Sequence, residues 1–337
     1  MFHLKTNSSA ARRVQQAEVR PRWPWKKRVA ISAAVVFFIV FSFFFAKVEK
    51  TFSLINNRFW KRTVHIDNYQ EKNRVDILML GLRGKDDLEN GGLLTDTMML
   101  LSINTADDKA AMISIPRDLY VRIPGLGKME KVNFAYAYGK GRDGDGLNAS
   151  RQAVEKVTGV NIDYIVAVDF DSFINLIDTI GGIDVYVPRD FAEASQWGWE
   201  FRVPNGLNHM NSQTALYYAR SRYSTSDFDR SRRQQDILMA IADKALSLKI
   251  LSNPVKLNAI LNSLSKGLDT DIDFISMLNL IKYGGLAQND KITRFILNDS
   301  DDNLLRSDHV NGAYVLYPRA GMENYDAIKE KIRNIFQ

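Results

Sequence analysis

The chain has 337 residues, 45% of them apolar and 25% charged, which suits one large domain or two small ones beside a membrane segment. It contains no cysteine, which excludes disulfides, zinc–thiolate sites and cysteine nucleophiles. The formal net charge is +6, but basic residues crowd the N-terminal end and a few later clusters, so anionic partners are expected and a uniform nucleic-acid-binding surface is not.

Residues 1–28 read as a basic tail carrying Lys5, Arg12, Arg13, Arg20, Arg22 and the triplet Lys26-Lys27-Arg28, with Trp23 and Trp25 as interfacial anchors. From Val29 to Ala46 only Ser32 and Ser42 are polar, a run long enough to cross a bilayer. Bulky Phe43, Phe44 and Phe45 persist to its end, unlike the small-residue exit of a cleaved signal peptide, so the span reads as a retained anchor. The excess of positive charge before it places the N-terminus in the cytoplasm and everything after Lys47 outside. The expected localisation is therefore the plasma membrane, single-pass.

Residues 47–72 read as a stalk. Beyond it, Val75 to Leu82, Thr97 to Ile103 and Ala110 to Ile115 are short apolar runs bounded by turn residues, as buried strands are. Ala149 to Thr158 has helical spacing and stops at Gly159; Ile165 to Val168 reads as a strand, Phe170 to Ile180 as a helix ended by Gly181-Gly182, and Ile183 to Val187 as another strand. Ser212 to Ala219 and Arg230 to Leu248 read as helices, the second with Ile237, Ile241, Ala245 and Leu248 as its buried stripe. This alternation predicts an α/β sandwich over 73–252. Helices to Leu264, near Phe274 to Tyr283 and near Tyr325 to Ile335 predict a helical extension over 253–337, packed on or beside the main domain.

Several catalysts are absent. His3, His65, His209 and His309 are scattered, and neither a GxSxG elbow nor a GxxxxGK[ST] loop occurs. The acidic clusters at Asp143/Asp145 and Asp299/Asp301/Asp302 lack the calcium-loop pattern and read as solvated turns. What remains is arginine at element ends. Arg117 follows a buried strand and Pro116, at the kind of sheet edge where α/β folds bind ligands. Arg220 and Arg222 are two apart, and Arg230, Arg233 and Gln234 fall within about one turn of the next helix start. Such forks either converge on phosphate oxygens or stand as separate surface ion pairs. Asp96, at the entry to a strand, reads either as a turn residue or as a ligand for Mg²⁺. Lys131 and Asn133 read either as phosphate and sugar contacts or as polar turn positions.

In sequence order, Asp96-Thr97-Met98-Met99, Ser114-Ile115-Pro116-Arg117-Asp118, Lys131-Val132-Asn133-Phe134-Ala135-Tyr136, Gly181-Gly182-Ile183-Asp184-Val185, Ala215 through Arg220-Ser221-Arg222, and Asp227 through Arg230 to Arg233-Gln234-Gln235 resemble the motif series of the LytR-CpsA-Psr family. The resemblance spans about Val75 to Asp243. It implies an α-β-α sandwich around a mixed central sheet behind one transmembrane helix. It also implies a phosphotransferase that moves a glycan phosphate from a polyprenyl-pyrophosphate carrier to peptidoglycan, attaching teichoic acid or a similar polymer to the cell wall. By the same resemblance Asp96 is the Mg²⁺ ligand, and Arg117, Arg220, Arg222, Arg230 and Gln234 hold the pyrophosphate. Lys131 and Asn133 are further substrate contacts, and Asp227 and Arg233 belong to the same motif. The chain departs from the family at Gly81-Leu82-Arg83, where the family usually has Gly-x-Asp, and at Leu94, where it usually has arginine. Arg83 then reads as a replacement for the lost guanidinium, and the carboxylate is either supplied by Asp86 or Asp87 or lost.

The lipid tail implied by the resemblance calls for an apolar tunnel, with the phenylalanines of the 170 to 180 helix as its lining or else as core. Two other functions fit the same residues: a lipid-pyrophosphate hydrolase, and a non-catalytic sensor or scaffold that binds polyprenyl phosphates.

Overall fold

The computed structural model describes residues 73–84, 91–248, 253–281, 283, 285–286, 291–300 and 304–337. The expected anchor at 29–46, the stalk, Asp86 and Asp87 lie outside these residues. Among the described residues, no helix is long and apolar enough to cross a membrane.

Strands β1 (Arg74–Leu82), β2 (Thr95–Asn104) and β3 (Lys109–Ser114) form an antiparallel meander. A hairpin of β4 (Tyr120–Arg122) and β5 (Met129–Lys131) precedes helices α1 (Ala135–Arg142) and α2 (Gly146–Thr158). Strand β6 (Tyr164–Asp169) returns to pair in parallel with β1 and runs directly into α3 (Phe170–Thr179). Two ribbons follow, β7 (Ile183–Val187) with β10 (Gly206–Met210) and β8 (Phe191–Glu193) with β9 (Phe201–Val203), then α4 (Ser212–Arg220) and α5 (Asp227–Ser247). The chain ends through α6 (Pro254–Leu264), β11 (Leu268–Thr270), α7 (Phe274–Ile281), β12 (Ile292–Ile296), the hairpin β13 (Leu305–Val310) and β14 (Ala313–Pro318), and α8 (Asp326–Arg333).

The central sheet has the order β11-β6-β1-β2-β3-β12 and is mixed, as expected. Strand alternation divides its two faces. Leu78, Leu80, Leu100, Ile113 and Ile165 point into one core, closed by Ala153 and Val157 of α2 and Ile328 and Ile332 of α8. Residues of opposite parity, Ile77, Ile103 and Met79 among them, face the other side, where α7 covers one end through Leu280. A further core joins Ile177 of α3, Val185 of β7, Ala215 and Tyr218 of α4 and Ile237 of α5. Burying each of these leucine, isoleucine and valine side chains stabilises the fold by about 1.5–3 kcal/mol before chain entropy is counted.

The C-terminal quarter departs from the expected helical extension. It supplies both edges of the sheet, with β11 antiparallel to β6 and β12 parallel to β3. The domain that was expected to close at residue 252 is completed only by these strands. Their three and five residues are too short to carry a period-2 signal, and their pairing is set by distant partners. Helix α5 starts at Asp227, three residues before the expected Arg230, because Ser226 and Asp229 form a capping box: Ser226 Oγ accepts from the Asp229 N–H at 3.0 Å while Asp229 accepts from the Ser226 N–H at 3.3 Å.

Candidate active site

The site begins with an irregularity between the first two strands. Gly81 pairs with Thr97 and Leu82 with Thr95, so Asp96 has no partner across the ladder. A bulge of this kind bends the strand and re-aims the extra side chain. A Cβ at Gly81 would lie 2.9 Å from the Thr97 Cβ, so glycine is what permits the two strands to approach here. Asp96 meets Arg83, just past β1, at 3.2 Å and Arg117, just past β3, at 2.5 Å.

The first turn of α5 reaches the same place. Asp227 pairs with Arg230 at 2.7 Å, Arg117 at 3.7 Å and Arg222 at 3.8 Å, and the Arg230 Nη2 donates to the Asp96 carbonyl at 3.2 Å. Burial works against a charged Asp96, but Arg117, with Arg230 and Arg83, outweighs it and holds the carboxyl below the usual carboxylate range. Burial also pulls the Arg230 guanidinium down, with neighbouring Arg117 and Arg222 adding to the effect and Asp227 and Asp96 opposing it. The Nε–H groups of Arg117 and Arg230 are buried without a hydrogen-bond acceptor. The Arg117 Nε faces two carboxylates just beyond hydrogen-bond reach, Asp118 at 3.6 Å and Asp227 at 3.7 Å.

Behind this network lies a cavity of about 410 Å³. Its walls are apolar: Met79, Met99, Val166 and Val168 from the sheet, Phe173 and Leu176 from α3, Leu216 from α4, and Ile237, Leu238 and Ile241 from α5. Arg83, Arg117, Arg220, Arg222 and Arg230 line its polar end against two carboxylates, Asp96 and Asp169. Phe170 and Phe173 both line it, and Phe173 also packs against the core around Ile177. The shape suits an amphiphile with an apolar chain and a compact, multiply charged anionic head.

Of the expected site residues, Arg83, Asp96, Arg117, Arg220, Arg222, Arg230 and Gln234 line one cavity, and Asp227 stands behind them through its ion pairs. Lys131, Asn133 and Arg233 are not in the lining. Lys131 pairs with Asp118 at 2.6 Å. Asn133 is buried; its N–H donates to the Arg117 carbonyl at 3.3 Å and its own carbonyl accepts from Thr95 Oγ1 at 3.3 Å, tying the Arg117 turn to the start of β2. Arg233 points to the other side of α5 and donates to the carbonyls of Tyr218 and Ser221.

A segment that carries no motif holds the Arg220–Arg222 stretch in place. Gln196 donates from Nε2 to the Arg220 carbonyl at 3.1 Å and accepts the Arg222 N–H at 2.8 Å. Trp197 donates from Nε1 to Ser221 Oγ at 3.0 Å, and its ring lies 5.2 Å from the Arg220 guanidinium, which also sits 4.3 Å from the Phe170 ring. Glu193, fully buried, anchors this segment by accepting from the N–H groups of Ser195, Gln196 and Ser224. Burial opposes its charge, yet these donors prevail and its carboxyl is held below the ordinary range. The only trace of this device in the sequence is the aromatic Trp197-Gly198-Trp199. Gln196→Ala should lower turnover by about tenfold or more, with a smaller effect on substrate affinity, because it frees the backbone that aims two guanidinium groups. Steady-state kinetics with an unchanged melting temperature would show this, and an unchanged turnover number would remove the positioning role.

The Mg²⁺ implied by the resemblance can be tested against the donors present. Each Asp96 oxygen already meets a guanidinium, and Asp169 is the N-cap of α3, accepting from the Ser172 N–H at 2.8 Å. Among the described residues, no group of three His, Asp or Glu could hold a metal ion. A Mg²⁺ ion at a pyrophosphate would take one or two carboxylates and complete its octahedron with water and phosphate oxygens, and Asp96 and Asp169 are the carboxylates of the cavity lining among the described residues.

The LytR_cpsA_psr family model matches residues 41–333. A protein from Oceanobacillus iheyensis named polyisoprenyl-teichoic acid–peptidoglycan teichoic acid transferase TagU is 36% identical over 225 residues, 66% of this chain and 66% of its own length. A protein of the same name from Enterococcus faecalis is 32% identical over 234 residues, 68% of this chain and 71% of its own. The crystal structure of B. subtilis TagV has a TM-score of 0.60 and 29% identity, covering 79% of this chain and 98% of that one. With a mixed α/β fold of that type and a family model spanning most of its length, the chain belongs to the LytR-CpsA-Psr family.

Proposed function

We propose that this protein is a membrane-anchored phosphotransferase, acting outside the cytoplasm, that moves a glycan phosphate from a polyprenyl-pyrophosphate carrier to a hydroxyl of peptidoglycan. The observation that carries this reading is the meeting of five arginines at the polar end of an apolar cavity. A lipid pyrophosphate has the matching two-part character. The names of the relatives, transferases of polyisoprenyl-linked teichoic acid, support the reading, as does the apolar run at 29–46.

In this reading the prenyl chain lies along Met79, Met99, Val166 and Ile241, and the two phosphates are held by Arg117, Arg220, Arg222 and Arg230. The oxygen of the acceptor hydroxyl attacks the glycan-side phosphorus. The bond from that phosphorus to the bridging oxygen breaks, polyprenyl phosphate leaves with the electron pair, and the hydroxyl proton passes to solvent. Little covalent work falls to the protein; the guanidinium groups position the phosphates and neutralise charge on the bridging and equatorial oxygens as the bond breaks. Gln234, whose amide donates to the Ala219 carbonyl at 3.2 Å, fixes the end of α4 from which Arg220 projects.

The direct test is mass spectrometry of lipid extracted from the full chain purified in detergent. A polyprenyl phosphate or pyrophosphate is the expected species. Its absence, together with no transfer from a synthetic lipid-pyrophosphate glycan to peptidoglycan fragments, would reject the reading. Release of free glycan phosphate at full rate without acceptor would select hydrolysis, and tight lipid binding without turnover a scaffold.

A further inference from the structure

Resting on the reading of the cavity as a pyrophosphate site, we infer that the aromatic strip from Trp197 to Trp199, with Tyr223, is a carbohydrate subsite that receives the first sugars of the glycan carried on the lipid pyrophosphate. The strip begins at the polar end of the cavity, where Trp197 lines the wall and lies 5.2 Å from the Arg220 guanidinium. Tyr217 packs on Trp197 with ring centroids 4.8 Å apart. Trp199 then meets Tyr217 at 5.7 Å and Phe201 at 5.8 Å, edge to face in both cases, and is itself 49% exposed. Gly198, at a φ of 75°, makes the left-handed turn that sets one tryptophan at the cavity and the next at the surface. Tyr223 also lines the cavity, is 64% exposed, and has the Arg222 guanidinium 5.7 Å from its ring.

A large ring held by two neighbours and left half open offers contact area at little cost in side-chain entropy. The C–H groups on the face of a pyranose carry partial positive charge and meet the negative face of such a ring, while the sugar hydroxyls keep their polar partners. Those partners stand next to Trp199: Glu200 and Arg202, paired at 2.7 Å, have side chains 46% and 70% exposed. A prenyl chain laid there would strip water from both charges, so the strip suits a hydrated ring and not hydrocarbon. Attachment decides which sugar it takes. The glycan of the donor is bonded to the phosphates held by Arg220 and Arg222, so its first residues are delivered to the strip that starts beside Arg220, at an effective concentration that an untethered acceptor lacks.

The experiment measures binding of two probes to the full chain in detergent, by calorimetry: geranyl pyrophosphate, and the same lipid carrying a disaccharide of N-acetylglucosamine on its terminal phosphate. Trp199→Leu, which keeps apolar bulk and loses the aromatic face, should weaken binding of the glycosylated probe by about tenfold and change that of the bare probe by less than about twofold. Trp199→Tyr should keep most of the affinity for the glycosylated probe, and Tyr223→Ala should show a smaller loss of the same selectivity. A Trp199→Leu protein, melting as wild type, that binds the glycosylated probe like wild type overturns the inference. An equal loss for both probes also overturns it, since Trp199 would then serve the lipid or the shape of the cavity. So does a raised KM for the peptidoglycan fragment with affinity for the glycosylated probe unchanged, which would give the strip to the acceptor. All three leave the pyrophosphate reading standing, whereas a wild-type protein that binds neither probe overturns both.

Discussion

Arg117→Ala should reduce transfer by about a thousandfold while leaving the protein folded, the largest loss expected from a single change in the cavity. Arg117 lies within ion-pair distance of three carboxylates, Asp96 at 2.5 Å, Asp118 at 3.6 Å and Asp227 at 3.7 Å, and its Nε–H is buried without an acceptor. Burial disfavours its charge, and the three carboxylates more than restore it, so the guanidinium is held more firmly protonated than a free one. Truncation removes a guanidinium from the cavity lining and also releases Asp96 and Asp227 from the cation that links β2 to α5. Both effects act on charge developing in the transition state, so the loss should appear in turnover more than in substrate affinity. Arg117→Lys should recover only a small part, since an ammonium cannot present two parallel N–H groups across the same gap. The measurement is transfer from a lipid-pyrophosphate glycan to a peptidoglycan fragment, with thermal unfolding as the control for folding. Wild-type turnover in Arg117→Ala would place the chemistry elsewhere.

Some of this site was legible in the sequence because the residues stand beside element ends, where side chains meet in space even when far apart in the chain. Arg117, Arg220, Arg222 and Arg230 are of this kind, and all four line the cavity. Asp96 was legible as a residue at a strand start, but not as a bulge; that depends on the register of β1 against β2, which only pairing reveals. Gln196 and Glu193 were invisible, since they act through backbone groups of 220–224, about thirty residues on, and no local pattern announces such a bond. Gln235 was named only as part of a motif. In the structure it is buried and ties α5 to the sheet, donating to Ser114 Oγ at 2.9 Å and accepting from Arg294 of β12 at 3.0 Å. The edge strands β11 and β12 were missed for a related reason: a short edge strand is defined by its neighbour, and neither Leu268–Thr270 nor Ile292–Ile296 has a pattern of its own.

Arg233 shows why neighbours on a helix need not share a role, and it leads to the largest stability effect expected here. At about 100° per residue, Asp227 and Gln234 fall on one side of Arg230 and Arg233 on the other, facing α4. There its Nε donates to the Tyr218 carbonyl at 2.9 Å, Nη2 to the Ser221 carbonyl and Nη1 to Thr225 Oγ1 at 3.3 Å, while Phe191 and Tyr218 stack on the guanidinium at 4.6 and 5.6 Å. The carbonyls are those left open at the C-terminal end of α4, where a cation is also favoured by the helix dipole. Burial pulls this guanidinium's pKa down, with Tyr218, Asp229 and Glu193 opposing, and arginine remains charged at neutral pH regardless. Arg233→Ala would strand these acceptors in a site that is 5% exposed and open a hole between two helices. A loss of about 3–5 kcal/mol follows, roughly 6–15 °C in melting temperature for a domain of this size. Arg233→Met, which keeps the volume and loses the donors, should recover only the packing part of it. Pyrophosphate affinity of the folded fraction should fall far less than in Arg117→Ala, because Arg233 touches the lipid site only through the segment it supports. Thermal unfolding and geranyl pyrophosphate binding on the same samples separate these roles: a variant with wild-type melting and lost binding would return Arg233 to the substrate contacts.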